Sequence, residues 1–214
     1  MILLQEIVDE IKSDLHSGMS YNESRFDDEY IEAKIHTARA HIISGYLIKM
    51  GKFINDAWVQ TLDISFEDRE KNCDIITFDC PNVISTDGQH DGFVYVGHVS
   101  GLKPFVRIRK GFTSLTRHSL FAKKKEIMWD YKHLEQGKSV VMLYNNPKLE
   151  YIQIRAMFNN PTTIPNFDKY VDHYPIDSNL RHDIVEMVTA DLFRKTTRMV
   201  EPGTDNISKI PQWK

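Results

Sequence analysis

The hydrophobic period of this chain changes near Thr61, and that change constrains the fold more than any other feature. Before it, apolar residues recur at three- and four-residue steps, as one face of an α-helix requires. Leu4, Ile7, Val8, Ile11 and Leu15 form the first such stripe, which predicts a helix over 4–16 broken by Gly18, Ser20 and Asn22. A longer helix is predicted over 27–50. Asp27, Asp28 and Glu29 put acids at its positive end, and Tyr30, Ile31, Ile35, Ala38, Ile42 and Leu47 mark its buried side. Gly51 is a natural stop, and Asn55-Asp56-Ala57-Trp58 reads as a short capped turn.

From Thr61 the period is two, the repeat of a half-buried strand. Leu62, Ile64 and Phe66 alternate with polar neighbours. Ile75–Phe78, Phe93–Val96 and Phe105–Arg109 follow as strands, with Pro81, Asp87-Gly88 and Gly101 as turns between them. Val140–Tyr144 and Leu149–Phe158 flank Asn145-Asn146-Pro147-Lys148, which reads as a hairpin with a short loop. Asn159-Asn160-Pro161 ends the β region. Tyr174-Pro175-Ile176 then leads into an amphipathic helix, predicted over 180–199. Ile184, Met187, Val188, Asp191 and Leu192 trace its core side, apolar except Asp191. Pro202-Gly203 ends that helix.

This order predicts an α+β fold, with N-terminal helices and a C-terminal helix packed together and a mostly antiparallel β domain inserted between them. The expected parts are 1–60 (helical), 61–160 (β-rich), 161–200 (completing the helical part) and 201–214, an extended C-terminal arm. In the arm only Ile207, Ile210 and Trp213 are large and apolar. Three such anchors are too few for a core but suit pockets on a neighbouring subunit.

With 41% hydrophobic and 27% charged residues, the composition is that of a soluble globular protein. No apolar run approaches the roughly 20 residues of a membrane span. The opening Met1-Ile2-Leu3-Leu4-Gln5-Glu6 has no basic n-region, unlike a secretory signal. The net charge of -3 hides an asymmetry: residues 1–70 carry 14 acids and 7 bases, residues 71–160 carry 13 bases and 8 acids. Such a chain can be steered head-to-tail onto copies of itself; solvated faces account for the same numbers.

Candidate chemistry is thin. Cys73, Cys80, His90 and His98 are separated by six, nine and seven residues, whereas zinc ligands usually pair about two to four apart. Turn and strand residues are the simpler reading, and two cysteines suit a reducing compartment. His36 and His41 lie five apart, not the spacing of a helical metal pair. No phosphate-loop, dinucleotide or serine-hydrolase motif occurs. We therefore expect neither an enzyme nor a cofactor. The stretch Lys103–Lys125 is different: it holds Lys103, Arg107, Arg109, Lys110, Arg117, Lys123, Lys124 and Lys125 without one acid. As a strand, Phe105, Arg107 and Arg109 share one face. A charge-guarded sheet edge or a subunit contact is the first reading; nucleic-acid phosphate is the second. Arg107, Arg109, Lys110 and Arg117, with Ile207, Ile210 and Trp213, are the candidate subunit contacts.

Several segments together, in order, resemble small virion proteins of tailed bacteriophages, especially crAss-like and related phages of Bacteroidetes. They are the helix Leu3–Leu15; Phe26–Leu47 with Lys34-Ile35-His36-Thr37-Ala38-Arg39; Trp58-Val59-Gln60-Thr61-Leu62; Ile152–Pro161; and Tyr174-Pro175-Ile176. The resemblance implies a neck or connector ring that joins portal to tail components and lines the DNA passage. It implies a dodecameric homo-oligomer following the portal's symmetry, with the portal and other neck or tail proteins as partners and non-specific contact with passing DNA. It places the protein in the virion after assembly in the host cytoplasm, and it offers no catalytic residues to carry over. The alternative is a nucleic-acid-binding accessory protein using residues 103–125.

Overall fold

The computed structural model describes residues 2–18, 26–50, 55–66, 75–86, 91–108, 126–133, 139–145 and 149–200. Among them lie three α-helices, α1 (Leu4–Gly18), α2 (Asp28–Met50) and α3 (Ser178–Val200), with seven strands between α2 and α3. The class is α+β, as expected. Each helix start is capped. Leu3 N–H donates to Glu6 Oε2, Tyr30 N–H to Asp27 Oδ1, and Leu180 N–H to Asp177 Oδ1. Each carboxylate satisfies a donor the first turn leaves open and suits the dipole.

The helices share one core. Leu4, Ile7, Val8 and Ile11 of α1 are fully buried against Ile31, Ile35, Ile43 and Leu47 of α2 and Leu180, Ile184, Val188 and Leu192 of α3. Two expectations need correction. Met187 and Asp191 do not face the core: Met187 is 40% exposed and the Asp191 side chain is 44% exposed. The buried line of α3 includes Val185 instead, and Asp191 binds Lys34 of α2 at 2.8 Å on the surface. On α2, Tyr30 is exposed and Ile42 only half-buried, because the buried ladder runs 31, 35, 39, 43, 47. Its central rung is Arg39, and reading an arginine as surface shifts the stripe by one position.

The strands are β1 (Gln60–Ser65), β2 (Ile75–Cys80), β3 (Phe93–His98), β4 (Val106–Arg107), β5 (Met128–His133), β6 (Ser139–Tyr144) and β7 (Tyr151–Ala156). They form two sheets, ordered β1-β7-β3 and β2-β6-β5-β4. All pairs are antiparallel except β4 with β5. The predicted 140–158 hairpin is therefore wrong. Its arms are β6 and β7, and they belong to different sheets: β6 pairs β2 and β5, while β7 pairs β1 and β3. The inner faces of both arms therefore meet across a core rather than along a ladder. That core holds Leu62, Phe78, Val96, Trp129, Tyr131, Val141, Leu143, Ile152 and Ile154. Strand β5 was not anticipated.

Residues 104–108 tie the sheets together at one side. Phe105 N–H donates to Val96 O of β3 at 2.8 Å, while Val106 N–H donates to Ile127 O just before β5 and Ile108 N–H to Trp129 O within it. The predicted strand over 105–109 is thus real but short. It serves two sheets in turn.

Candidate assembly surfaces and the buried arginine

The chain enters the β part at Trp58 and leaves it at Phe158, and strand register makes those points neighbours: Gln60 pairs with Ala156. Arg39 joins them. Its guanidinium is fully buried and donates to Phe158 O (2.7 Å), Trp58 O (2.9 Å) and Pro175 O (2.9 Å). One side chain of α2 therefore holds both crossings into the β part and the lead-in to α3. A planar fork with five fixed N–H groups is suited to three acceptors on separate segments. No carboxylate pairs with it among the described residues. Burial lowers its pKa to about 10, so it stays charged at neutral pH.

Tyr174 is fully buried beside it, its ring 5.9 Å from the guanidinium carbon. Its hydroxyl lies 2.7 Å from His36 Nδ1. Burial, reinforced by the charges of Arg39 and Lys169, pushes the His36 imidazole down to about 4, so the ring is neutral. Burial pushes the Tyr174 hydroxyl up. The lead-in is pinned again at Asp177, whose Oδ2 accepts from Asn55 Nδ2 at 2.7 Å. Asn55 meanwhile caps the Asp56–Trp58 turn through Ala57 N–H, as its position before that turn predicts.

Of the candidate contacts, only Arg107 lies in the described residues; Arg109, Lys110, Arg117, Ile207, Ile210 and Trp213, like the predicted arm 201–214, lie outside them. Arg107 forms a two-pronged ion pair with Asp91, one prong at 2.7 Å. Its guanidinium lies over Trp129, 4.9 Å from the ring centroid. The charge is thereby largely balanced in place, although the side chain stays 39% exposed. Cys73 and His90 also lie outside the described residues. Cys80 is buried in the β core, which pushes its thiol up to about 12, and His98 is spent on a turn with Ser100.

That turn shapes a surface the sequence did not flag. After β3 the chain reverses through Val99–Leu102 and runs back along β3, with His98 N–H donating to Lys103 O and Gly101 N–H to His98 O. Gly101 takes φ +71°, open to glycine at little cost. Tyr95 folds over the hairpin, its hydroxyl donating to His98 O at 2.8 Å. Only glycine fits beneath it: a Cβ at position 97 would sit 2.4 Å from Tyr95 Oη and from Lys103 O. The tip this fixes presents Leu102 (82% exposed) and Val99 (43%) to solvent.

A second surface is a groove of about 750 Å³ between α2 and α3. Ala38, Ile42, Met187 and Val188 contribute apolar lining, Asp183, Glu186 and Asp191 contribute acid, and Lys34, His41 and Arg194 are basic. Lys34 and Asp191 pair with each other at 2.8 Å, whereas Asp183 and Glu186 form no ion pair among the described residues.

Two helical ends thus pack as one unit around an inserted pair of sheets, and buried polar groups tie these parts together. The chain belongs to the phage tail ring protein 2 family of crAss-like phages, whose family model matches residues 6–209. That span covers the helical and β parts alike. No curated protein matches the chain. Membership makes this a bacteriophage ring protein, a structural component that self-associates with tail-related partners in the virion. Among the described residues no helix is long and apolar enough to cross a membrane.

Proposed function

We propose that the protein forms a homo-oligomeric ring in the neck of the virion, joining the portal to tail components and surrounding the path of the DNA. The carrying observation is the family match over 6–209, which includes every described strand and nearly all of the helices. A ring closes when one heterologous interface repeats around an axis, and twelve copies would match a dodecameric portal above it. A subunit in such a ring must transmit load without coming apart. The Arg39 node supports this role, because it ties the two crossings and α3 to one side chain.

The protein is structural rather than enzymatic on this reading. The buried polar groups described above, His36, Arg39 and Tyr174, are engaged with one another or with backbone. Passing DNA would meet the protein by charge alone, through the Lys103–Lys125 stretch. Assembly takes place in the host cytoplasm on this reading.

Microscopy of purified particles, with antibody or tag density marking this chain, tests the placement. A closed ring next to the portal is expected; label at the distal tail, or scattered single copies, refutes it. Native mass measurement with and without a candidate portal reads the copy number. A ring held by apolar packing persists at high salt, whereas binding through phosphate contacts weakens steeply.

A further inference from the structure

We propose that the open edge of β1 is where residues 204–210 of a neighbouring copy add as a further strand, linking subunits head to tail. The inference rests on the ring reading and adds to it which segments meet.

The two edges of the β1-β7-β3 sheet differ. The β3 edge is closed by its own chain, with Phe105 N–H donating to Val96 O and His98 N–H to Lys103 O. Among the described residues nothing pairs with the outer edge of β1. Phe66 N–H donates inward to Glu150 O, and backbone direction alternates along a strand. Thr61, Asp63 and Ser65 therefore turn their N–H and C=O groups outward. These groups form a regular row, because the β1/β7 register runs unbroken from Gln60 to Ser65. Folded proteins guard such a row with lysine, proline, a bulge or a covering segment, since any extended chain can join it. The sequence of β1, Gln-Thr-Leu-Asp-Ile-Ser, holds neither lysine nor proline. Its one charge, Asp63, already accepts from Gln153 Nε2 at 3.0 Å. An unguarded row suits strand addition, in which main-chain bonds supply the affinity.

Residues beyond α3 supply a fitting strand. Thr204–Ile210 is an uninterrupted run between Pro202 and Pro211, and every residue in it has an N–H to donate. The path of α3 directs that run to another molecule. The helix starts beside the entrance to the β part, where Asp177 accepts from Asn55, and runs about 35 Å the other way. Near its end Lys195 meets Tyr30 at the start of α2. β1 stands off from the helices: Leu62 lies in the β core, and no residue of β1 joins the helical one. The run therefore leaves the subunit at the end away from its own β1, and from Val200 to Thr204 the chain spans at most about 14 Å. One edge and one added strand per copy, on different parts of the subunit, make a heterologous link that repeats. Pairing of two β1 edges about a twofold axis would stop at a dimer.

The test compares free subunits with rings assembled from the full chain and its tail partners. Hydrogen exchange over residues 60–66 should show the amides of Thr61, Asp63 and Ser65 newly protected in the ring, since the even-numbered ones already bond to β7. Thr61→Pro and Ser65→Pro each remove one outward N–H and leave the β7 ladder intact, as prolines on edge strands do. Each should lower incorporation about tenfold, and so should Ser208→Pro. Thr61→Ala and Ser208→Ala should incorporate normally, because backbone makes the contact. Unchanged far-UV circular dichroism checks that the variants fold, and the exchange measurement needs no variant. A chain lacking residues 203–214 keeps the edge, and a Thr61→Pro/Ser65→Pro chain keeps the added strand; mixed, they should pair one to one and go no further. Closed rings with unchanged exchange over 60–66 and normal incorporation of the proline variants overturn the contact and leave the ring standing. Protection of 60–66 in particles assembled without residues 203–214 overturns the occupant and assigns the edge to another strand. If microscopy finds no ring, the ring reading fails, and pairing of the mixed chains, or its absence, decides the contact by itself.

Discussion

Replacing Arg39 by methionine removes the guanidinium while keeping most of the side chain's volume. Three carbonyls, of Trp58, Phe158 and Pro175, then lose their buried donor. Leaving a buried acceptor unsatisfied costs about 1–3 kcal/mol each. Against this, the fold no longer desolvates a cation, and apolar replacements of buried ions can be neutral when every partner is replaced too. Here the partners are backbone and remain. Three such losses, reduced by that relief and by water reaching some of the carbonyls, leave about 3–5 kcal/mol, a large share of a typical domain's stability. Arg39→Lys should lose less, because an ammonium keeps the charge but cannot span three separated acceptors. Urea denaturation of the full chain measures both. The two cores carry their own reporters, Trp58 in the helical cluster and Trp129 in the β cluster. Because Arg39 bonds both crossings, its loss should also separate the unfolding of the two, so that far-UV circular dichroism and Trp129 fluorescence no longer coincide. An Arg39→Met protein within about 1 kcal/mol of wild type, with coincident transitions, refutes the reasoning.

His36 gives a pH dependence of defined sign. Its folded pKa of about 4 lies below the ordinary histidine value of 6.5, so only the unfolded chain takes up the proton as pH falls between them. This contribution is complete above pH 6.5 and is lost toward pH 4, by about 3 kcal/mol at most. Denaturation at several pH values should show a shallower slope in His36→Asn than in wild type; parallel slopes would exclude it. On α3, Leu192→Asp should cost several kcal/mol, since Leu192 is fully buried, while Met187→Asp on the exposed side should stay within about 1 kcal/mol. Similar melting temperatures for the two would show that the buried face is misassigned. Deleting residues 203–214 should leave a folded, soluble chain that fails to enter particles, because the anchors Ile207, Ile210 and Trp213 go with it. Normal incorporation of the truncated chain would show that the arm has no part in assembly.

Local pattern was enough for much of this fold. The stripe Leu4, Ile7, Val8, Ile11, Leu15 is buried as its spacing requires, and Leu62 and Phe66 are buried at the expected alternation. The predicted helices end within about two residues of those observed, because period and capping are read from neighbours in sequence. Pairing is another matter. The segments now assigned to β6 and β7 flank a turn-like Asn-Asn-Pro-Lys, and nothing local distinguishes a hairpin from a crossing between sheets. The choice depends on β1 and β2, distant strands that offer each arm a different partner. Strand β5 does carry a local signal, Trp129 and Tyr131 alternating with Asp130 and Lys132 at the period of a half-buried strand, and both aromatic residues enter the core.

Arg39 shows the division most clearly. The spacing left room for it, since Ile31, Ile35, Ile43 and Leu47 recur every four residues with Arg39 in the gap, but a stripe drawn through Ala38 and Ile42 passes it by. What the periodicity could not supply were the acceptors. Backbone carbonyls leave no mark in a sequence, and those of Trp58, Phe158 and Pro175 converge only once the sheets and helices have packed. The groove and the exposed tip are of the same kind, surfaces defined by what surrounds them. Sequence determined the elements and the family because both are written in local order; the tertiary structure decided which surfaces exist, because a buried cation or an open groove is a property of neighbours brought together from far along the chain.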